Sequence, residues 1–129
     1  MPVHWEWRDS ILLVTTIGAY GNDELSRAFV EIRADASFAT GAPLVLDARE
    51  SKAALTKDDI EWRVGGLADT LKDEGFGLHI ALVVTGREPH RYGLARMVQV
   101  LTEPKGFDCQ VFTDLDEALR WAEQQKPNE

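Results

Sequence analysis

Cysteine is nearly missing: Cys109 is the only one in 129 residues, so an internal disulfide is excluded. It lies in "DCQVF", which reads as a buried strand where a thiol serves as a small apolar side chain. Cations are scarce as well. Lys and Arg number 14 against 22 Asp and Glu, and the net charge of −8 opposes binding to nucleic acid or to anionic membrane surfaces. No apolar run approaches the roughly 20 residues of a membrane-spanning helix, so no stable membrane insertion is expected. No basic-then-apolar leader precedes the first strand, and a cytoplasmic chain is the expectation.

Motifs that carry chemistry are also missing. There is no nucleophile elbow, no CxxC pair and no phosphate-cradling glycine loop. The three histidines, at 4, 79 and 90, do not fall four apart on any helix. No catalytic residue, metal or cofactor is expected, and an enzyme is the less favoured class. His79 lies in a strand that reads as buried, as a structural histidine would.

What is present is an ordinary globular composition, 44% hydrophobic and 28% charged, long enough for one domain over 1–129. "VHWEWR" alternates as a half-buried strand, and Asp9–Ser10 can turn it into "ILLVTTIG", 11–18, which is apolar on both faces. Asn22 suits the N-cap of a helix with Leu25, Phe29 and Ile32 on its inner stripe. "PLVLD", 43–47, reads as a short strand, and "ARESKAAL" as a loop.

Thr56 and Asp59 resemble a capping box opening a second helix, whose stripe is Ile60, Val64, Leu67, Ala68 and Leu71. "LHIALVVTG", 78–86, is the most strand-like segment. A third helix is expected over 91–103, with Leu94, Met97, Val98 and Leu101 inward and Tyr92, Arg96, Gln99 and Glu103 outward. "CQVF" is the last strand, and Asp114 with Glu117 opens a helix carrying Leu115, Ala118, Leu119 and Ala122. Residues 124–129 are expected to fray.

The order β-β-α-β-α-β-α-β-α implies an α/β domain with a mixed five-stranded sheet and four helices. Its interior strands should be 11–18, 43–47 and 79–85.

This order, with "LVLDAR", "HIALVVTG", "YGLARMVQVL" and "CQVFTDLDEALRWAE", resembles the SpoIIAA-like proteins within the wider STAS group of anti-sigma-factor antagonists and transporter tails. The resemblance spans nearly the whole chain and carries no catalytic signature. It implies a non-enzymatic binding or regulatory module with a protein partner or a small anionic or apolar ligand. Sporulation antagonists are phosphorylated on a serine at the start of the helix after the third strand. The stretch here is "ALTKDDIEW", where Thr56 looks occupied in capping and a phosphate would meet Asp58 and Asp59. A phospho-switch at Thr56 or Ser51 is therefore disfavoured.

Two places invite a ligand or a partner. His90 and Arg91, with Arg87 just before, collect at a helix start, where the macrodipole disfavours cations by about 0.3–1 kcal/mol each. A bound anion would offset that cost, and Asp47 ends a strand where open α/β sheets place ligand crevices. The competing reading is that Asp47, Glu50 or Glu88 neutralises the cations and that Asp47 is a loop acid bonded to backbone amides; the residues favour it. An alternative function, a small-molecule carrier or enzyme, would use this Asp47–Arg87–His90–Arg91 crevice. The second place is Trp62, which projects opposite its helix's apolar stripe beside Gly65 and Gly66. A self-association surface there, or cover by a loop, are both open.

Overall fold

The computed structural model describes residues 3–18, 22–51, 57–86 and 89–126, with the backbone alone described at 22, 23, 57, 59, 60, 62 and 63. The elements are β1 (Val3–Arg8), β2 (Ile11–Gly18), α1 (Asn22–Ala34), β3 (Leu44–Ser51), α2 (Lys57–Asp73), β4 (His79–Val83), α3 (Pro89–Thr102), β5 (Asp108–Phe112) and α4 (Leu115–Gln124). A single 3-10 turn, Glu103–Lys105, follows α3 and closes on Gly106 in the left-handed region.

One mixed sheet holds the strands in the order β1-β2-β3-β4-β5. β1 is antiparallel to β2, and the remaining pairs are parallel. β1 and β2 are joined by the two residues Asp9 and Ser10, both at positive φ, 49° and 69°. This is the primed turn whose twist matches that of the strands it connects.

Each parallel crossover steps one strand further in the same direction. Right-handed crossovers of that kind place α1, α2 and α3 on one face and leave the other to α4. The first face buries Leu12, Val14, Leu44, Ile80 and Leu82 beneath Leu25, Phe29, Ile32, Ala68 and Leu71. The second buries Ile11, Leu13, Val45, Ala81 and Val83 beneath Ala118 and Ala122. β2, β3 and β4 contribute apolar side chains to both layers, which is why their runs are apolar throughout. α4 begins where Asp114 Oδ1 accepts the amides of Asp116 at 2.8 Å and Glu117 at 3.4 Å.

Three details differ from expectation. β3 continues to Ser51, because the last residues of β2 extend the ladder to Glu50 and Ser51 past an irregularity in register. α3 is rotated: Ala95 and Thr102 are buried and Val98 packs on the core, while Leu94, Met97 and Leu101 are only half-buried. α2 lies alongside α3, so α3 divides its contacts between the sheet and a neighbouring helix. His79 stands at the first position of β4 with its side chain 38% exposed, its Nε2 4.0 Å from Asp108 Oδ2 and its ring against Trp121.

Candidate functional site

Asp47 lies within β3, and the alternation that turns Val45 toward α4 turns Asp47 the same way. The residue is 7% exposed. Its Oδ1 accepts from the backbone amide of Arg49 at 3.2 Å and from Arg49 Nε at 2.9 Å, and its Oδ2 accepts from Arg49 Nη2 at 2.8 Å. The strand geometry explains the partner. The register runs Thr15 opposite Asp47 and then Ile17 opposite Glu50, so β3 carries one extra residue at this point, a bulge. Asp47 satisfies an amide at that irregularity and clamps the guanidinium two residues on.

The guanidinium is 41% exposed. Its pKa is raised first by the hydrogen bond to Asp47, against the lowering effect of burial, and then by the charges of Asp47, Glu50 and Asp114. A buried carboxylate with both oxygens engaged by a cation is a poor general base, because taking up a proton would break a charge-assisted pair.

The other predicted site residues lie elsewhere. His90 is exposed in the first turn of α3, and Arg91 is half-buried with an interaction of its own. That turn contains no acidic residue. α3 packs on the face opposite α4. Asp47 turns toward the face that α4 covers, whereas α3, which carries His90 and Arg91, packs on the other face. Arg87 and Glu88 lie outside the described residues, as does Thr56. Ser51 is buried at the end of β3 beside Gly18.

Gly65 and Gly66 have open space where a side chain would project, on a helix that also exposes Asp58, Asp69 and Asp73. Asp69 is answered by Lys105 Nζ at 3.2 Å. The Trp62 side chain lies outside the described residues. Among the described residues no group of three or more His, Cys, Asp or Glu could hold a metal ion, and no helix is long and apolar enough to cross a membrane.

Sequence reasoning passed over Arg49. The signal was available in "DAR": residues two apart on a strand share a face, so an Asp and an Arg so spaced can pair. Cys109 is buried as expected, and burial is the main cause that pushes its thiol up to about 11, opposed by a hydrogen bond with Thr102. A thiol so placed is inert at neutral pH. Thr16 was also passed over. It is fully buried near the end of β2, and its Oγ1 has no hydrogen-bond partner.

An open α/β sheet with these crossovers and a lone helix on its second face has the SpoIIAA-like fold. No protein-family model and no curated protein matches the chain. Among solved structures, it is similar to an uncharacterized protein of the DUF3478 family from Shewanella loihica PV-4, described as having a SpoIIAA-like fold. The similarity covers 93% of this chain and 91% of that one, at a TM-score of 0.61 and 16% sequence identity. Likeness at that identity is a statement about architecture, and function has to be argued from the site.

Proposed function

We propose that the chain is a small, non-enzymatic binding or regulatory module. The observation that carries this reading is the state of Asp47. It is the acid that a crevice enzyme would need at the carboxyl end of β3, and it is consumed by Arg49 through both of its oxygens. What remains at that end of the sheet is recognition chemistry. Arg49 keeps a half-exposed guanidinium held in one orientation, and α3 opens with His90 and Arg91 and no acid in its first turn. A small anionic ligand fits the α3 start better than a cation does, since free amides and the helix macrodipole both favour negative charge there.

The alternative, a carrier or enzyme using the crevice at the strand ends, is separated from this reading by following the ligand. The protein is incubated with phosphate, nucleotides and short carboxylates, and its unfolding temperature is measured. A ligand at 100 times its Kd stabilises by about 2.7 kcal/mol. A stabilising compound recovered unchanged after prolonged incubation, whose effect is lost in the double variant His90→Ala/Arg91→Ala, supports the binding module. Recovery of a converted product replaces it with the enzyme. A screen in which no compound shifts the transition removes the anion from the reading.

A further inference from the structure

We infer that the free edge of β1 is a self-association surface, pairing antiparallel with β1 of a second copy to run one continuous sheet through both. The argument begins at the hairpin. In a two-residue turn the residue before it accepts a hydrogen bond from the residue after it, so Arg8 and Ile11 form a bonded pair. Bonded and non-bonded pairs alternate along an antiparallel ladder, so Glu6 and His4 are also bonded to β2. The N–H and C=O groups of Val3, Trp5 and Trp7 consequently point away from β2, along the open edge. Such a row of groups, unpaired among the described residues, is a template for another strand unless charge, proline or a bulge blunts it. Between Val3 and Arg8 the ladder is regular and no proline interrupts it.

The side chains choose the partner. His4, Glu6 and Arg8 are exposed on the face that α4 covers elsewhere, while Trp5 and Trp7 pack on the opposite core. This strip places the carboxylate of Glu6 between an imidazole and a guanidinium in a chain whose net charge is −8. Two-fold pairing centred on Trp5 sets Val3 against Trp7 and His4 against Glu6, each twice. All the outward backbone groups then meet outward groups. His4 and Glu6 fall at non-bonded positions, where side chains lie closest. Each Glu6 would sit between its own Arg8, whose Nη2 is 3.4 Å away, and His4 of the second copy.

Sliding the pairing by two residues in one direction sets His4 against His4, and in the other Glu6 against Glu6. Centring on Trp7 would set Glu6 against Arg8 but pairs only residues 6–8 before the turn. Among registers that use most of the strand, the one centred on Trp5 is therefore selected. β5, the other edge, offers nothing comparable: "DCQVF" has no cation to oppose Asp108, and α3 and α4 flank it. The occupant argued for is therefore a second copy of this chain, through β1.

Light scattering and sedimentation across a wide concentration range test it on four proteins, parent, His4→Glu, Glu6→His, and the exchange His4→Glu/Glu6→His, with Trp62→Ala as a fifth for comparison. His4 and Glu6 are exposed, so circular dichroism and the unfolding midpoint should show all four folded. The expected result is a dimeric parent and a His4→Glu variant that dimerises roughly tenfold or more weakly, since it sets Glu against Glu twice. The exchange should recover most of the parent's affinity, the contact of Glu6 with Arg8 being the part it gives up. A parent that stays monomeric overturns the inference, as does a His4→Glu variant that dimerises like the parent. An exchange that remains as weak as His4→Glu overturns the proposed register. A parent dimer dissolved by Trp62→Ala and untouched by His4→Glu assigns the contact to α2 instead.

Discussion

The two ends of the sheet are built on different terms. At the amino ends of β2, β3 and β4 the connections close by packing. Trp7, Phe38, Phe76 and Phe29 meet edge to face in a chain of rings whose centroids are 6.3, 5.0 and 5.4 Å apart. Arg33 lies over Phe38 at 4.6 Å and bonds the carbonyl of Glu74 at 2.9 Å. The loops before β3 and β4 are laced together, Gly41 N to Gly75 O and Gly77 N to Ala42 O. At the carboxyl ends the backbone is irregular and polar groups enter the interior: the bulge beside Thr16, the Asp47–Arg49 clamp, and the buried hydroxyl of Ser51. One end is arranged for stability, whereas the other departs from the usual economy of burial. Departures of that kind concentrate where proteins bind things.

The comparison can be broken from either side. The largest effect is expected at the amino end. A Cβ on Gly77 would fall on the carbonyl oxygen of Ala42 and 2.6 Å from that of Gly41, both backbone atoms of a bonded loop. Gly77→Ala should cost about 3 kcal/mol, at the upper end of ordinary overpacking, read by denaturant unfolding. A loss below about 0.5 kcal/mol would mean that the two loops are loosely joined after all.

An intermediate effect is expected from Arg49→Ala, which strands the buried Asp47 carboxylate. With the guanidinium half-exposed, the cost should be about 2 kcal/mol, and Arg49→Lys should recover only part because it cannot make the two-pronged contact. Equal stability of the Lys variant and the parent would reduce the clamp to a simple charge pair. The smallest effect has the opposite sign. Thr16→Val replaces an unpartnered buried hydroxyl by a methyl group of the same shape, and should raise stability by up to about 1 kcal/mol. A destabilised Val variant would show that the hydroxyl is satisfied in solution.

The fold was legible because its three interior strands are apolar on both faces, and because Asp114 and the turn at Asp9–Ser10 are strong local signals. What escaped notice was set by packing between elements. The end of β3, "ARES", has no apolar alternation and reads as loop; it is strand because β2 continues beside it. The orientation of α3 depends on α2, and its most buried positions are Ala95 and Thr102, which weigh little in any hydrophobic pattern. For the same reason Asp47 was legible as a residue of interest, but its partner was not. The two-residue spacing that puts Arg49 on the same face as Asp47 has meaning only once "ARES" is strand.

The lone helix on the second face has a consequence for how the protein is made. α1, α2 and α3 each dock beside the strands that immediately precede or follow them, so the first core can assemble as the chain emerges. Ile11, Leu13, Val45, Ala81 and Val83 wait for α4, the last helix in the order. During synthesis that sheet face is bare until Ala118 and Ala122 are released and fold back across β4, β3 and β2. A ribosome stalled before α4, or a protease that removes it, would leave a sticky half-covered intermediate suited to chaperone capture or to aggregation.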